Sequence, residues 1–172
     1  MLLTSTGTGM RPADERVAQG ISDAALRAVP QDQCVVCEPD HPHGLRIRYN
    51  TDPVGGATAD WTPTPAWEGF RGMIHGGILA TVLDEAMSKA VAATRCEALT
   101  GELRVRFRRH VVSGEPLRIR AWVVKRTKRL IGTEAALTAS DGIERAHAWA
   151  SFLALPRRRI VSRNKTKGEY LK

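Results

Sequence analysis

Four residues in one short stretch have side chains or backbone that could work together: His75, the glycines Gly76 and Gly77, and the acid Asp84. Glycines at the start of a helix leave unpaired N–H groups at the positive end of the dipole, and without a Cβ a substrate oxygen can approach them closely. Such donors suit a developing oxyanion, although the same pair also serves as a plain tight turn. Asp84 offers a carboxylate for base or nucleophilic chemistry. It lies eight residues beyond Gly76, which is about 12 Å along a helix axis at about 1.5 Å per residue. The two groups therefore cannot grip one atom within a single helix. Either a substrate spans the gap, or a second subunit brings its own Asp84 to the first subunit's turn. The neighbouring Glu85 reads as ordinary polar surface. His75 could be a base, but a lone histidine more often anchors a turn by hydrogen bonding. No Ser or Cys sits in a nucleophile elbow and no acid, His and Ser order is visible, which argues against a triad hydrolase.

The elements that must position these groups follow from hydrophobic period. Residues 76–94 form one long helix whose apolar arc runs Val82, Ala93, Ala86, Leu79, Ala90, Leu83, Met87, Ala80 and Val91, with Asp84 at its margin between Val91 and Ser88. An arc this broad must be covered on at least half its surface. Ahead of the helix, residues 45–49 alternate as a first strand and residues 56–61 as a second, followed by a loop over residues 66–72. After it, Leu103, Val105 and Phe107 alternate with Arg104, Arg106 and Arg108, and further strands are expected near residues 117–124, 131–139 and 143–155. Short connections favour a four-strand antiparallel meander. The class is α+β, a long helix wrapped by a curved antiparallel sheet. One sheet is expected to cover only part of the helix, leaving the rest to a second subunit related by two-fold symmetry.

The 172 residues suit a single domain over residues 31–155, with an N-terminal leader and short helix over residues 1–30 and a basic flexible tail over residues 156–172. The formal charge of +8 is largely that tail's, which carries seven Lys or Arg against one Glu and leaves only +2 for the rest. This distribution argues against a nucleic-acid partner. No apolar run is long enough to span a membrane, and no signal peptide is read at the start, so a cytoplasmic protein with no membrane partner is expected. Cys34 and Cys37 raise the question of zinc, with His41 and His43 nearby. The spacing is too short for four ligands to close a tetrahedron without strain, so the stretch reads as a Pro-rich loop with no metal.

Residues 34–155 resemble the hotdog-fold acyl-CoA thioesterases of the PaaI-like group. The resemblance rests on Cys34-Val35-Val36-Cys37 with Pro42-His43-Gly44-Leu45, on His75-Gly76-Gly77 followed nine residues after the His by Asp84, and on residues 99–107. It implies active sites at the interface of a homodimer or homotetramer and an acyl-CoA substrate, with no cofactor. It assigns Asp84 as general base or nucleophile, the Gly76 or Gly77 N–H as oxyanion donor, and Thr100 as the hydroxyl that positions water. It places cations for the CoA phosphates at Arg106, Arg108, Lys128 and Arg129. Many relatives carry Asn or Gln six residues before the motif His, where this chain has Gly69. Either a backbone group or Glu68 replaces it, or turnover is weak. A hotdog protein that binds acyl-CoA as a sensor without cleaving it is the alternative function.

Overall fold

A computed structural model describes residues 33–155; the N-terminal leader and helix and the basic tail expected from the sequence lie outside the described residues. The elements in order are β1 (Asn50–Asp52), β2 (Gly56–Trp61), a 3-10 turn (Pro65–Trp67), β3 (Glu68–Phe70), β4 (Met73–Ile74), helix α1 (Gly76–Ala93), β5 (Ala98–Phe107), β6 (Leu117–Arg126), β7 (Leu130–Ala139) and β8 (Glu144–Ala154). Six of the strands form one antiparallel sheet in the order β1-β2-β6-β7-β8-β5, and β3 and β4 make a separate hairpin. The last three strands are the expected meander. β5 departs from it: it skips its neighbour β6 and pairs with β8 at the far edge. The helix sits between β2 and β5 in sequence and packs on β2, β6, β7, β8 and β5, so the sheet wraps it from both sides.

Alternation explains why the sheet can curl so tightly. The helix-facing positions are mostly small: Ala57, Ala59, Ala121, Ala135, Ala146, Ala148 and Ala150 are all buried. A bed of alanines lets the helix axis approach, and the bulk is shared between Leu79, Val82, Leu83, Met87 and Val91 of the helix and Ile119, Ile131, Leu137 and Phe152 of the sheet. Seven of the nine residues in the expected apolar arc are buried, with Ala80 and Ala93 half-buried.

Two expectations need correction here. Residues 45–49 are not a strand, because Arg46 adopts φ +56° and breaks the extended path. The Leu45 and Ile47 N–H groups instead bond back to the Val35 and Val36 carbonyls, while Leu45 and Ile47 still bury their side chains, so the alternation was right about faces and wrong about partner. This folded segment closes over the helix, and the Tyr49 hydroxyl donates to the Val82 carbonyl at 3.1 Å. The second correction follows. Val82, Leu83, Ala86, Met87 and Ala90 are 0% exposed within one chain, so the breadth of the arc does not by itself call for a second subunit.

Charge is placed at the sheet margin. Arg145 is buried and held by Glu115 and Asp141, and its carbonyl accepts from the Arg108 and Arg109 N–H groups. That network fixes the chain as it leaves β5. Among the described residues no helix is long and apolar enough to cross a membrane.

Candidate active site

The turn before α1 is built by its own side chains. Gly72 turns at φ +78°, and Glu68 accepts from the Gly72 N–H at 2.9 Å and from the Ser113 hydroxyl. Those two bonds hold its carboxyl below the usual range. With both oxygens committed, Glu68 is a brace for the β3–β4 turn and does not stand in for the missing amide at position 69. Gly69 lies at the bulge of that hairpin, and a Cβ there would be 2.8 Å from His75 Cδ2. The imidazole fills the space that a side chain at 69 would need.

His75 caps the helix. Its N–H donates to the Trp67 carbonyl at 2.9 Å and its Nδ1 accepts from the Gly77 N–H at 2.9 Å. The anchoring role is the one its geometry serves. It also separates the two glycines. Gly77's donor is spent on His75, whereas the Gly76 N–H has no partner among the described residues, and it stands at the first helical position where the dipole is most positive. Gly76 opens on a cleft of about 320 Å³ lined by Leu79, Phe107, Arg108, Arg109 and His110. A methyl on Gly76 would meet the Phe107 ring at 3.4 Å, so the cleft floor is close-fitting.

Asp84 stands at the other end of the arrangement. It is half-buried, and its Oδ1 accepts from the Thr100 hydroxyl at 2.9 Å. Burial raises its carboxyl above the ordinary range, Thr100 pulls the other way, and the Glu85 charge adds to the rise. The Thr100 contact depends on a backbone irregularity. The β5–β8 register shifts between Thr100 and Glu102, so Thr100 faces the buried Phe152 while Leu103 faces the buried Ala150. Two residues stand where one would keep the alternation, and Thr100 turns to the helix side. Counting back from Leu103 by twos would have turned it away.

The expected cations divide into separate groups. Arg108 lines the Gly76 cleft and pairs with Glu144 at 2.5 Å. Arg106 lies opposite His147, on the sheet face away from the helix, and does not line that cleft. Lys128 and Arg129 sit in the β6–β7 turn, and the Arg129 carbonyl accepts from the Ala154 N–H at 2.9 Å. That is the Thr100 end of the sheet. The strand between residues 145 and 154 puts about 30 Å between the two ends at about 3.3 Å per residue. Sequence reasoning missed Phe107, Arg109 and His110 as cleft residues. Only Phe107 had a signal, since its alternation with Val105 put it on the helix side.

The same arrangement of helix and sheet recurs in solved structures. A crystal structure of a thioesterase superfamily protein aligns at TM-score 0.67 and 23% identity, covering 70% of this chain and 63% of that one. This chain thus spans less than two thirds of that relative's length. The PaaI protein from the Escherichia coli phenylacetic acid degradation operon aligns at TM-score 0.60 and 20% identity, over 63% of this chain and 83% of its own. The fold is the hotdog. Residues 71–146, from the turn before α1 to the start of β8, match the family model of the thioesterase superfamily. The family likeness read from the His-Gly-Gly and Asp84 spacing thus stands. A further hotdog structure, a hypothetical thioesterase from Streptococcus pneumoniae with coenzyme A, aligns at TM-score 0.62 and 15% identity, over 65% of this chain and 88% of its own. No curated protein matches the sequence.

Proposed function

We propose that this hotdog protein hydrolyses acyl-CoA thioesters to the free acid and CoA. The observation that carries the reading is the half-buried Asp84 carboxylate, held through one oxygen by Thr100 and left with the other for substrate or water. As general base, Asp84 takes a proton from water while the water oxygen attacks the thioester carbon. The carbonyl electrons move onto oxygen, where the Gly76 N–H and the helix dipole stabilise them. Collapse breaks the C–S bond, and the proton leaves with the CoA sulfur. Attack by the carboxylate itself, through an anhydride that water then opens, uses the same groups. In single-turnover hydrolysis in ¹⁸O water, label in Asp84 marks the second route with water opening the anhydride at the aspartyl carbonyl, whereas the first route places the label in the released acid alone.

The site is shared between subunits on this reading. Among the described residues β5 is the outer strand of the sheet, ten residues long, and its outer edge has no strand partner there. Antiparallel pairing of two β5 strands about a centre near Leu103 and Arg104 would set Thr100 opposite the partner's Phe107. Asp84 would then face the partner's Gly76, closing the gap that one helix leaves open. Lys128 and Arg129 of one subunit and Arg108 of the other would flank the same cleft, where cations meet the nucleotide phosphates. Arg106, on the outer face, has a place only if the nucleotide wraps over the edge.

The test is release of free CoA from short, medium, long and aromatic acyl-CoAs, by the wild type and by Asp84→Ala. Turnover with at least one acyl class and its loss in the variant are expected; equal turnover by both removes Asp84 from the chemistry. Tight acyl-CoA binding without turnover would favour the sensor reading, which has Gly69 as its support because no side-chain amide is present there to polarise the thioester. Thr100→Val has its own expected signature. Losing the donor raises the Asp84 pKa further, so the acid limb of the pH–rate profile should move to higher pH, with kcat down by about tenfold. Thr100→Ser should restore both; an unmoved acid limb in Thr100→Val would show that the hydroxyl does not tune Asp84.

A further inference from the structure

We propose that Cys34, Cys37 and Glu85 form a binding site for a Zn²⁺-type cation that clips the segment over residues 33–49 to helix α1. The ligand atoms of these three residues lie within 4.8 Å of one another. Ligands at about 2.3 Å from a tetrahedral zinc are separated by roughly 3.8 Å, so modest side-chain adjustment closes the set, with water in the fourth position. Two thiolates and a carboxylate favour zinc over magnesium or calcium, which prefer all-oxygen ligands.

The local backbone is arranged for it. The Glu38 N–H bonds the Cys34 carbonyl at 3.0 Å, closing a turn that sets both sulfurs on one side. The Val36 N–H points at Cys34 Sγ at 3.4 Å, a donor that supports negative charge on sulfur. Lys89 Nζ stands 3.2 Å from the Glu85 carboxylate, so a positive charge is already held at this spot. Two thiolates, a carboxylate and Zn²⁺ carry a net single negative charge, which the Lys89 ammonium balances. The histidines that first suggest zinc in the sequence take no part. His41 Nδ1 accepts from the His43 N–H at 3.2 Å, and neither imidazole belongs to the cluster. The third donor comes from the helix instead, 48 residues after Cys37.

Position gives the clip its purpose. Val36, Leu45 and Ile47 bury against the core beside the helix, but among the described residues this segment makes no ladder with the main sheet. A metal bridge to Glu85 would fix it there, since binding to the folded arrangement adds directly to stability.

The full-length protein, incubated with ZnSO₄ under reducing conditions and desalted, is expected to retain zinc at one equivalent per chain by elemental analysis. The Cys34→Ser/Cys37→Ser double variant should retain none, and Glu85→Gln should weaken retention by about tenfold or more. Co²⁺ in place of zinc should give thiolate-to-metal charge-transfer absorption that the double variant lacks. A chelator should lower the wild-type Tm and leave the double variant's unchanged, and this comparison stays informative if the variant is less stable. The proposal is overturned by no retained zinc in the reduced wild type, by equal retention in the double variant, or by a Tm indifferent to chelator. None of these readouts depends on catalytic activity.

Discussion

Asp84→Asn is expected to reduce kcat for acyl-CoA hydrolysis by about 100-fold or more while leaving the fold at least as stable as the wild type. The two halves of that result have one cause. Burial raises the Asp84 carboxyl above its ordinary value, so the folded state binds the proton more tightly than the unfolded chain does. Stability conferred by such a group falls as pH rises from the unfolded carboxylate pKa through the folded one. Above that window the ionised acid is a standing cost. The amide cannot ionise, yet it keeps an oxygen to accept from Thr100, so Asp84→Asn removes the cost and preserves the contact. The variant's Tm should match or exceed the wild type's at neutral pH, and the difference should shrink as pH falls from the raised Asp84 pKa towards the ordinary carboxylate value. Melting curves across pH check the sign: a variant less stable at neutral pH would mean that attractions beyond the Thr100 bond hold the carboxylate. The same raised pKa requires wild-type activity to fall off in acid at a higher pH than a solvent-exposed aspartate would give.

Gly76→Pro should cost about 10²–10³-fold in kcat with the helix intact. Proline is well accommodated at the first helical position, and His75 before it already has extended backbone, φ −62° and ψ 131°, as a residue preceding proline requires. The substitution therefore deletes one N–H donor and little else of the helix. Gly76→Ala is the control. It keeps the donor, and its methyl meets Phe107 at an ordinary 3.4 Å, so only a small loss is expected. Circular dichroism reports whether the helix survives. Equal losses in both variants would assign the effect to crowding in the cleft and remove the Gly76 N–H from oxyanion stabilisation.

The helix and most of the strands were legible because their signals are local. The helical arc names seven of its buried residues correctly, and the alternation of Leu103, Val105 and Phe107 with arginines marks both a strand and its inner face. What could not be read depends on contacts distant in the chain. The placement of β5 beside β8 is decided by the helix passing under the sheet, and periodicity carries no information about which edge a strand joins. Arg46 shows the reverse failure: one residue with positive φ turned a well-patterned strand into a folded loop. Within the candidate site, His75 and the glycines were visible as a motif, but which glycine keeps a free donor depended on the imidazole's rotamer. Thr100 was reached only through family likeness. The cations, grouped by charge alone, are split by strand register between two ends of one sheet. The third member of the cysteine cluster was invisible because Glu85 reads as plain helix surface until the folded segment is laid over it.

Gly101 gives β5 a change of phase, and this separates two demands that a regular strand would have to meet with one pattern. Downstream of it, Leu103 and Val105 pack against the core and Phe107 stands over Gly76 at the helix start, whatever happens at the reactive end. Upstream, Thr100 is free to point at Asp84 without any of those positions being reassigned. Were Gly101 instead drawn into a regular ladder with no residue left over, composition, core and charge would be nearly unchanged, yet Thr100 would turn outward and Leu99 would come to the carboxylate. The polarity of the floor around Asp84 is thus set by the bulge at one point, so a change at Gly101 that makes the strand regular at the same length would convert a wet, hydrogen-bonded acid into a dry one.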